Sequence, residues 1–274
     1  MEILLDDFLK AVLKEDIGRG DLYSKIENNI QVESYILAKE SGILSGRIYV
    51  ERLCKLLGIE VNFVIKDGME FKKGSKLATF SGKMSEILSA ERVILNLLQH
   101  SSGIATLTKK YIDAMQDSSC VLLDTRKTRP LLREFEKYST CNGGAVNHRL
   151  GLDDCLMLKD THLSRILSLK KFIQEIRKKI PFTTKIEVEC ENLLQAKEAL
   201  ESKIDILIID NMDIPSITEV VKMRDEIAPN VLLEARGNIT LANIQEYAKS
   251  GVDAISSGAI IHQATWLDMS MKID

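Results

Sequence analysis

Five residues that carry or can accept a positive charge are the most conspicuous chemical feature of this chain: Arg126, Lys127, His148, Arg149 and Lys159. Arginine presents a planar fork of donors that matches carboxylate or phosphate, and lysine acts as a compact point charge. Gathered at one site, the five would repel one another unless an anion entered. Spread apart, they would simply pair with acids on neighbouring loops. A second set is acidic: Glu187, Glu189, Asp210 and Glu234. Alternation along residues 185–190 puts Glu187 and Glu189 on one side of a strand. Carboxylates beside a phosphorylated substrate can hold Mg²⁺, which keeps several waters and takes one or two protein ligands. Acids of this kind also balance nearby bases, so their metal role is open at this point. The third feature is small residues at Gly237-Asn238 and Ser256-Ser257-Gly258. Backbone amides in such turns can cradle an anion.

What must position these side chains is a rhythm of short apolar runs, each ending in polar residues. The runs cover residues 121–124, 155–159, 185–189, 206–210, 231–234 and 254–257, and residues 143–146 could add one more short strand. Between them lie helical stretches at 163–180, 193–201, 214–227 and 241–249. Apolar strands alternating with amphipathic helices specify a parallel α/β structure. The polar residues sit at or just past the strand C-termini, where a barrel builds its active site. An open sheet would use only the crevice at its switch point, so a barrel is favoured.

Ahead of the barrel, residues 4–16 carry a helical stripe of Leu4, Leu5, Phe8, Leu9, Val12 and Leu13. Strand-like runs follow at 35–38, 46–50 (or a helix entry), 61–65 and 76–80, punctuated by Asp67-Gly68 and Lys73-Gly74. A long helix is expected over 85–115, broken near 101–103. The 274 residues carry 37 basic and 40 acidic side chains, a net charge of −3, with 28% charged and 45% apolar positions. Those proportions exclude a disordered or collagen-like chain, and the near-neutral balance argues against nucleic acid as a partner. No run is long and apolar enough for a membrane span, and the acidic N-terminus does not read as a secretory signal. Cys54, Cys120, Cys141, Cys155 and Cys190 are scattered without a CxxC pair, so buried thiols in a reducing cytoplasm are expected. P-loop, HExxH and GxSxG motifs are absent.

Together, Asp124-Thr125-Arg126-Lys127-Thr128, Glu136-Lys137-Tyr138, Gly143-Gly144-Ala145, Asn147-His148-Arg149-Leu150-Gly151-Leu152 and Leu158-Lys159-Asp160 closely resemble the quinolinate phosphoribosyltransferase family. Glu91-Arg92, Ser102-Gly103-Ile104-Ala105, Glu187-Val188-Glu189, Asp210-Asn211 and Gly251-Val252-Asp253 extend the match over most of the chain. The resemblance implies an N-terminal α/β sandwich domain over 1–105, joined by 263–274, and an incomplete seven-stranded α/β barrel over 106–262. That is the type II phosphoribosyltransferase-like arrangement. It further implies a homodimer with active sites shared at the interface, assembling in some members into hexamers. The implied reaction joins quinolinate to phosphoribosyl pyrophosphate with Mg²⁺, giving nicotinate mononucleotide, pyrophosphate and CO₂.

By the same resemblance, Arg126, His148, Arg149 and Lys159 would bind the quinolinate carboxylates, joined by Arg92 of the neighbouring subunit. Lys127 and Lys159 would contact phosphoribosyl pyrophosphate, and Glu189 and Asp210 its ribose hydroxyls and the metal. Gly237-Asn238 and Ser257-Gly258 would take the 5′-phosphate. Lys159, Glu189 and Asp210 form the expected catalytic set. Two places depart from the family pattern. Arg236 stands where a serine usually precedes the turn glycine, and Arg129 and Leu131 flank Pro130 where Thr and Gly are usual. Competing readings are a molybdenum-transport-associated paralogue of the same fold, a Schiff-base aldolase using Lys159 or Lys127, and a non-catalytic oligomeric scaffold.

Overall fold

A computed structural model describes residues 2–26, 30–116 and 119–273. In chain order the elements are α1 (Glu2–Ile17), β1 (Gln31–Ala38), β2 (Gly42–Ile43), α2 (Arg47–Leu57), β3 (Glu60–Phe63), β4 (Glu70–Phe71), β5 (Lys76–Lys83) and α3 (Met84–Ala114). Then follow β6 (Val121–Leu123), α4 (Arg133–Asn142), β7 (Leu156–Leu158), α5 (Asp160–Leu163), α6 (Leu169–Ile176), β8 (Ile186–Cys190), α7 (Leu193–Leu200) and β9 (Ile206–Asp210). The chain closes with α8 (Ile214–Ile227), β10 (Leu232–Arg236), α9 (Ile244–Ala248), β11 (Ala254–Ser256), α10 (Ala259–His262) and β12 (Met269–Ile273). Two compact units result. The first takes residues through Lys109, then Tyr138–Gly144 and the chain from Gln263 onward; the second takes Lys110–Lys137 and Ala145–His262.

In the first unit, antiparallel pairing gives the strand order β12-β1-β5-β3, with β2 and β4 forming a separate pair. The 46–50 run is not a strand. Gly46, at φ 108, turns the chain into α2, whose Tyr49, Val50, Leu53 and Cys54 bury one helical face. Nor is α3 broken at 101–103. Ser101, Ser102 and Gly103 lie inside it, and a Cβ on Gly103 would sit 2.1 Å from the Thr265 carbonyl oxygen. Small residues there permit a close backbone approach rather than ending the helix. The Tyr138–Gly144 segment joins this unit through the Tyr138 hydroxyl, which hydrogen-bonds Asp67, and through Asn142 Nδ2, which donates to Ser45 Oγ at 2.8 Å.

The second unit holds a six-stranded parallel sheet in the order β6-β11-β10-β9-β8-β7. In chain order the first strand, β6, pairs with the last, β11, and Val146 makes a single parallel bridge to Leu123 of β6. Among the described residues no pairing joins the Val146 segment to β7, so the sheet forms an incomplete barrel. The seventh place is filled by that bridge rather than by a full strand. Every residue of β8 is buried, as are Leu207, Ile208 and Ile209 of β9, so the apolar runs line the core. Asn192 caps α7 by accepting from Gln195 N at 3.0 Å, and Asp213 caps α8 by accepting from Ser216 N at 2.9 Å. Caps of this kind contribute about 1 kcal/mol each. Of the expected helix over 163–180, only α6 (Leu169–Ile176) forms; Leu163 ends the separate short helix α5. Among the described residues no helix is long and apolar enough to cross a membrane, and the five cysteines form no disulfide.

Candidate active site

Strand pairing decides which side chains share a face. Glu189 is level with Ile208, Glu234 with Ile208 and Ala254, and Arg236 with Asp210 and Ser256. Side chains two apart on a strand point the same way. Glu187, Glu189, Asp210, Glu234, Arg236 and Ser256 therefore project together, from Glu187 near the start of β8 and Glu234 mid-strand in β10 to Asp210, Arg236 and Ser256 at the strand ends.

Asp124, fully buried just past β6, organises the next loops. It pairs with the buried Lys137 Nζ, accepts from Asn147 Nδ2 at 2.6 Å and accepts from the His148 amide at 2.9 Å. Lys137 also donates to the His148 carbonyl at 2.9 Å. His148 is thereby held with Nε2 3.0 Å from Glu234 Oε2 and 3.7 Å from Glu187 Oε1. Ser256 Oγ donates to the other Glu234 oxygen at 2.5 Å. Burial alone would lower the proton affinity of His148. The Glu234 hydrogen bond and charge, helped by Glu187, outweigh it, and the imidazole is pushed above its ordinary value. Burial raises the Glu187 carboxyl, against the pull of His148 and Arg149.

Beside this cluster lie three guanidinium groups. Burial lowers the Arg126 pKa, and the charges of Arg149 and Arg133 push it the same way. Its buried Nε has no hydrogen-bond partner among the described residues. Arg149 donates to the Cys155 carbonyl at 2.9 Å and lies 3.4 Å from Met157 Sδ, while Arg133 donates to the Leu150 carbonyl at 3.1 Å. Among the described residues no carboxylate is placed in an ion pair with any of the three. Loop pairing thus accounts for other cations, such as Arg129 with Glu136, but not for these.

The remaining expected residues complete the ring. Lys159, at the end of β7, stands close enough to Glu189 to stabilise its charge; burial nonetheless raises the Glu189 carboxyl overall. The Lys127 side chain lies across Gly258, where a Cβ would come within 2.9 Å of Lys127 Cδ. Ser257 is buried, and its Oγ accepts from Ala259 N at 3.3 Å. Gly237 has φ 96, and a Cβ there would lie 2.2 Å from Asn211 Oδ1, so only glycine fits this turn. Asn211 and Asn238 are both left-handed, and Asn238 Nδ2 donates to Asn211 Oδ1 at 3.0 Å. Arg92 is exposed on α3, in the first unit. Glu189, Glu191 and Asp210 each offer an oxygen within 4.8 Å of the others. Hard oxygen donors at that spacing fit Mg²⁺.

Residues 21–102 match the family profile of the quinolinate phosphoribosyl transferase N-terminal domain, and residues 104–272 that of its C-terminal domain. The chain belongs to the quinolinate phosphoribosyltransferase family. A probable nicotinate-nucleotide pyrophosphorylase [carboxylating] of Synechocystis is 40% identical over 274 residues, covering 99% of this chain and 93% of the relative. The Mycobacterium leprae nicotinate-nucleotide pyrophosphorylase [carboxylating] is 32% identical over 97% of this chain and 96% of its own. The solved structure of the nicotinate-nucleotide pyrophosphorylase from Francisella tularensis superimposes with a TM-score of 0.92 at 31% identity, covering 100% of this chain and 97% of that one. These similarities do not favour the molybdenum-transport alternative.

Against the quinolinate phosphoribosyltransferase pattern, both departures have a structural outcome. Leu131, where the family usually has glycine, takes φ 64 with its side chain 97% exposed. The loop is pinned by Arg129, whose amide and Nη1 donate to Glu136 at 2.9 and 2.6 Å. Arg236 turns inward to the acids. Its Nη2 bonds Glu189 Oε2, and its Nε donates to Asp210 Oδ1 at 3.1 Å. Sequence reasoning did not reach three contributors to this arrangement: Arg133, Glu234 as the partner of His148, and Asp124 as the organiser of the 147–149 loop. Glu234 was visible as an acid near a strand end. The other two carried no signal of their partners.

Proposed function

We propose that the chain transfers the phosphoribosyl group of phosphoribosyl pyrophosphate to quinolinate with decarboxylation, yielding nicotinate mononucleotide, pyrophosphate and CO₂ for de novo NAD synthesis. The observation that carries this reading is the group of guanidiniums at Arg126, Arg149 and Arg133, whose charges act on one another and in which the buried Arg126 Nε has no hydrogen-bond partner among the described residues. It suits a small dicarboxylate. Arg126, Arg149, His148 and Lys159 would hold the two quinolinate carboxylates, and the Glu234 and Glu187 charges keep His148 inclined to its protonated form.

Lys127 and Lys159 would contact phosphoribosyl pyrophosphate, with its 5′-phosphate in the turns at Gly237-Asn238 and Ser257-Gly258. Glu189 and Asp210 would bind the ribose hydroxyls and face the positive charge that develops at the ribosyl carbon as pyrophosphate departs. The same two acids, with Glu191 beside them, would hold Mg²⁺. When bound, Mg²⁺ neutralises and orients the leaving pyrophosphate. The ring of side chains holds two anions in line, so that the pyridine nitrogen meets the ribosyl carbon without first finding it in solution. The N-ribosylated pyridinium then accepts the electron pair released as the 2-carboxylate leaves, and a proton replaces it at that carbon.

The assembly we propose is a homodimer in the cytoplasm, with Arg92 supplied to each site by a second copy; light scattering separates a dimer from a hexamer. Purified protein given both substrates and Mg²⁺ should form nicotinate mononucleotide. No product, together with borohydride trapping of a carbonyl substrate on Lys159 or Lys127, would support the aldolase reading instead.

A further inference from the structure

Arg236 is one of the two places where this chain leaves its family's pattern, and its surroundings give it a specific job. The side chain departs from the C-terminal end of β10, level with Asp210 on β9. Its guanidinium spans two strands: Nη2 bonds Glu189 Oε2 of β8, and Nε bonds Asp210 Oδ1 at 3.1 Å. Nη1 lies 3.9 Å from Met157 Sδ. The three charged side chains are 20%, 6% and 17% exposed, so solvent screens them little. A planar fork can bond two carboxylates at once. The short hydroxyl of the usual serine carries no charge and cannot.

These are the same acids whose oxygens, with that of exposed Glu191, come within 4.8 Å of one another. We propose that Arg236 is the resident counter-ion of the Glu189–Asp210 pair and keeps a free divalent cation out of it in the substrate-free chain. The proposal rests on the metal-holding role given to those acids under the proposed function. Each acid already gives one oxygen to the guanidinium. An entering ion would have to displace two charge-assisted hydrogen bonds and approach a fixed positive charge in a poorly screened place. With a neutral residue at 236, both obstacles disappear, and two close carboxylates are left with an excess negative charge that an ion relieves.

The test is Mn²⁺ binding to the full-length, substrate-free protein, followed by loss of the free-ion electron paramagnetic resonance signal. Near-ultraviolet circular dichroism checks that each variant is folded. R236S and R236Q should bind Mn²⁺ at least about tenfold more tightly than the unchanged protein, a difference of about 1.4 kcal/mol. R236K, which keeps a charge, should stay weak, and adding E189Q to R236S should remove the gain. Equal affinity in the unchanged protein and folded R236S or R236Q would overturn the proposal. Tight Mn²⁺ binding by the unchanged protein would overturn it without any variant. R236Q retains a long polar side chain and serves if R236S does not fold. Because this readout needs neither substrate nor turnover, it stands or falls separately from the transfer reaction.

Discussion

Replacing Glu234 by Gln should reverse the direction in which the protein shifts His148. Burial is the strongest single influence on this imidazole and acts to lower its pKa; Glu234, through a hydrogen bond and its charge, and then Glu187, overcome it. Gln at 234 keeps the shape and an acceptor for Ser256 Oγ, but removes the charge and the ionic acceptor 3.0 Å from His148 Nε2. Glu187, at 3.7 Å, is then left alone against burial. His148 should fall from above its ordinary 6.5 to below it. A hydrogen bond to a charged group contributes about 1.5–3 kcal/mol. Because the folded pKa is raised, this stability is fully present below the unfolded value and is lost as pH rises through the folded one. Glu234→Gln should therefore lower Tm by roughly 3–12 °C at about pH 6, at ~2–4 °C per kcal/mol for a chain of this size. Toward about pH 9 the difference should shrink. Imidazole NMR titration, with His148 assigned by His148→Gln, reads the first effect, and melting curves at the two pH values read the second. An imidazole that titrates in Glu234→Gln at or above its original value would refute the reasoning. So would a melting deficit independent of pH.

Arg149→Ala removes one guanidinium from the anion cluster, so the KM for quinolinate should rise about 10- to 150-fold, the equivalent of 1.5–3 kcal/mol; an unchanged KM would remove Arg149 from the site. Leu131→Gly should raise Tm, because relief of the left-handed backbone, about 1–2 kcal/mol, exceeds the added entropy of an unfolded glycine, about 0.5–1 kcal/mol. A lower Tm would show that the exposed Leu131 side chain contributes something else. Inactive Arg92→Ala mixed with inactive Lys159→Ala should regain activity if sites are shared between copies, and absence of complementation despite proven subunit exchange would contradict the shared-site assembly.

Those predictions draw unequally on sequence and structure. Ile206–Asp210 and Ile214–Ile227 were readable to the residue, because a continuous apolar run and an amphipathic stretch are local signals. The 46–50 run stayed open between strand and helix entry because Ile48, Tyr49 and Val50 favour strands, while the amphipathic face that makes them helical extends to Leu57. The expected break at Ser101-Ser102-Gly103 failed for another reason: small residues mark a close approach as readily as a helix end, and Thr265 lies too far along the chain to be anticipated. In the site, residue types were legible and partners were not. Arg236 read as a long cation in place of a serine beside a turn glycine, its role open; its partners are on β8 and β9, 47 and 26 positions away. Asp124 read as part of a motif, yet it anchors Lys137, Asn147 and His148 from neighbouring segments. Strand register brings such residues together, and register is set by the whole barrel.

The central claim is that these strand ends join two anions and expel one carboxyl group. Single-turnover reaction with quinolinate labelled with carbon-13 in its 2-carboxylate, plus phosphoribosyl pyrophosphate and Mg²⁺, tests it most directly. The account predicts labelled CO₂, pyrophosphate and unlabelled nicotinate mononucleotide in equal amounts. Release of pyrophosphate with the label retained in the nucleotide, or nucleotide formation from nicotinate in preference to quinolinate, would contradict it.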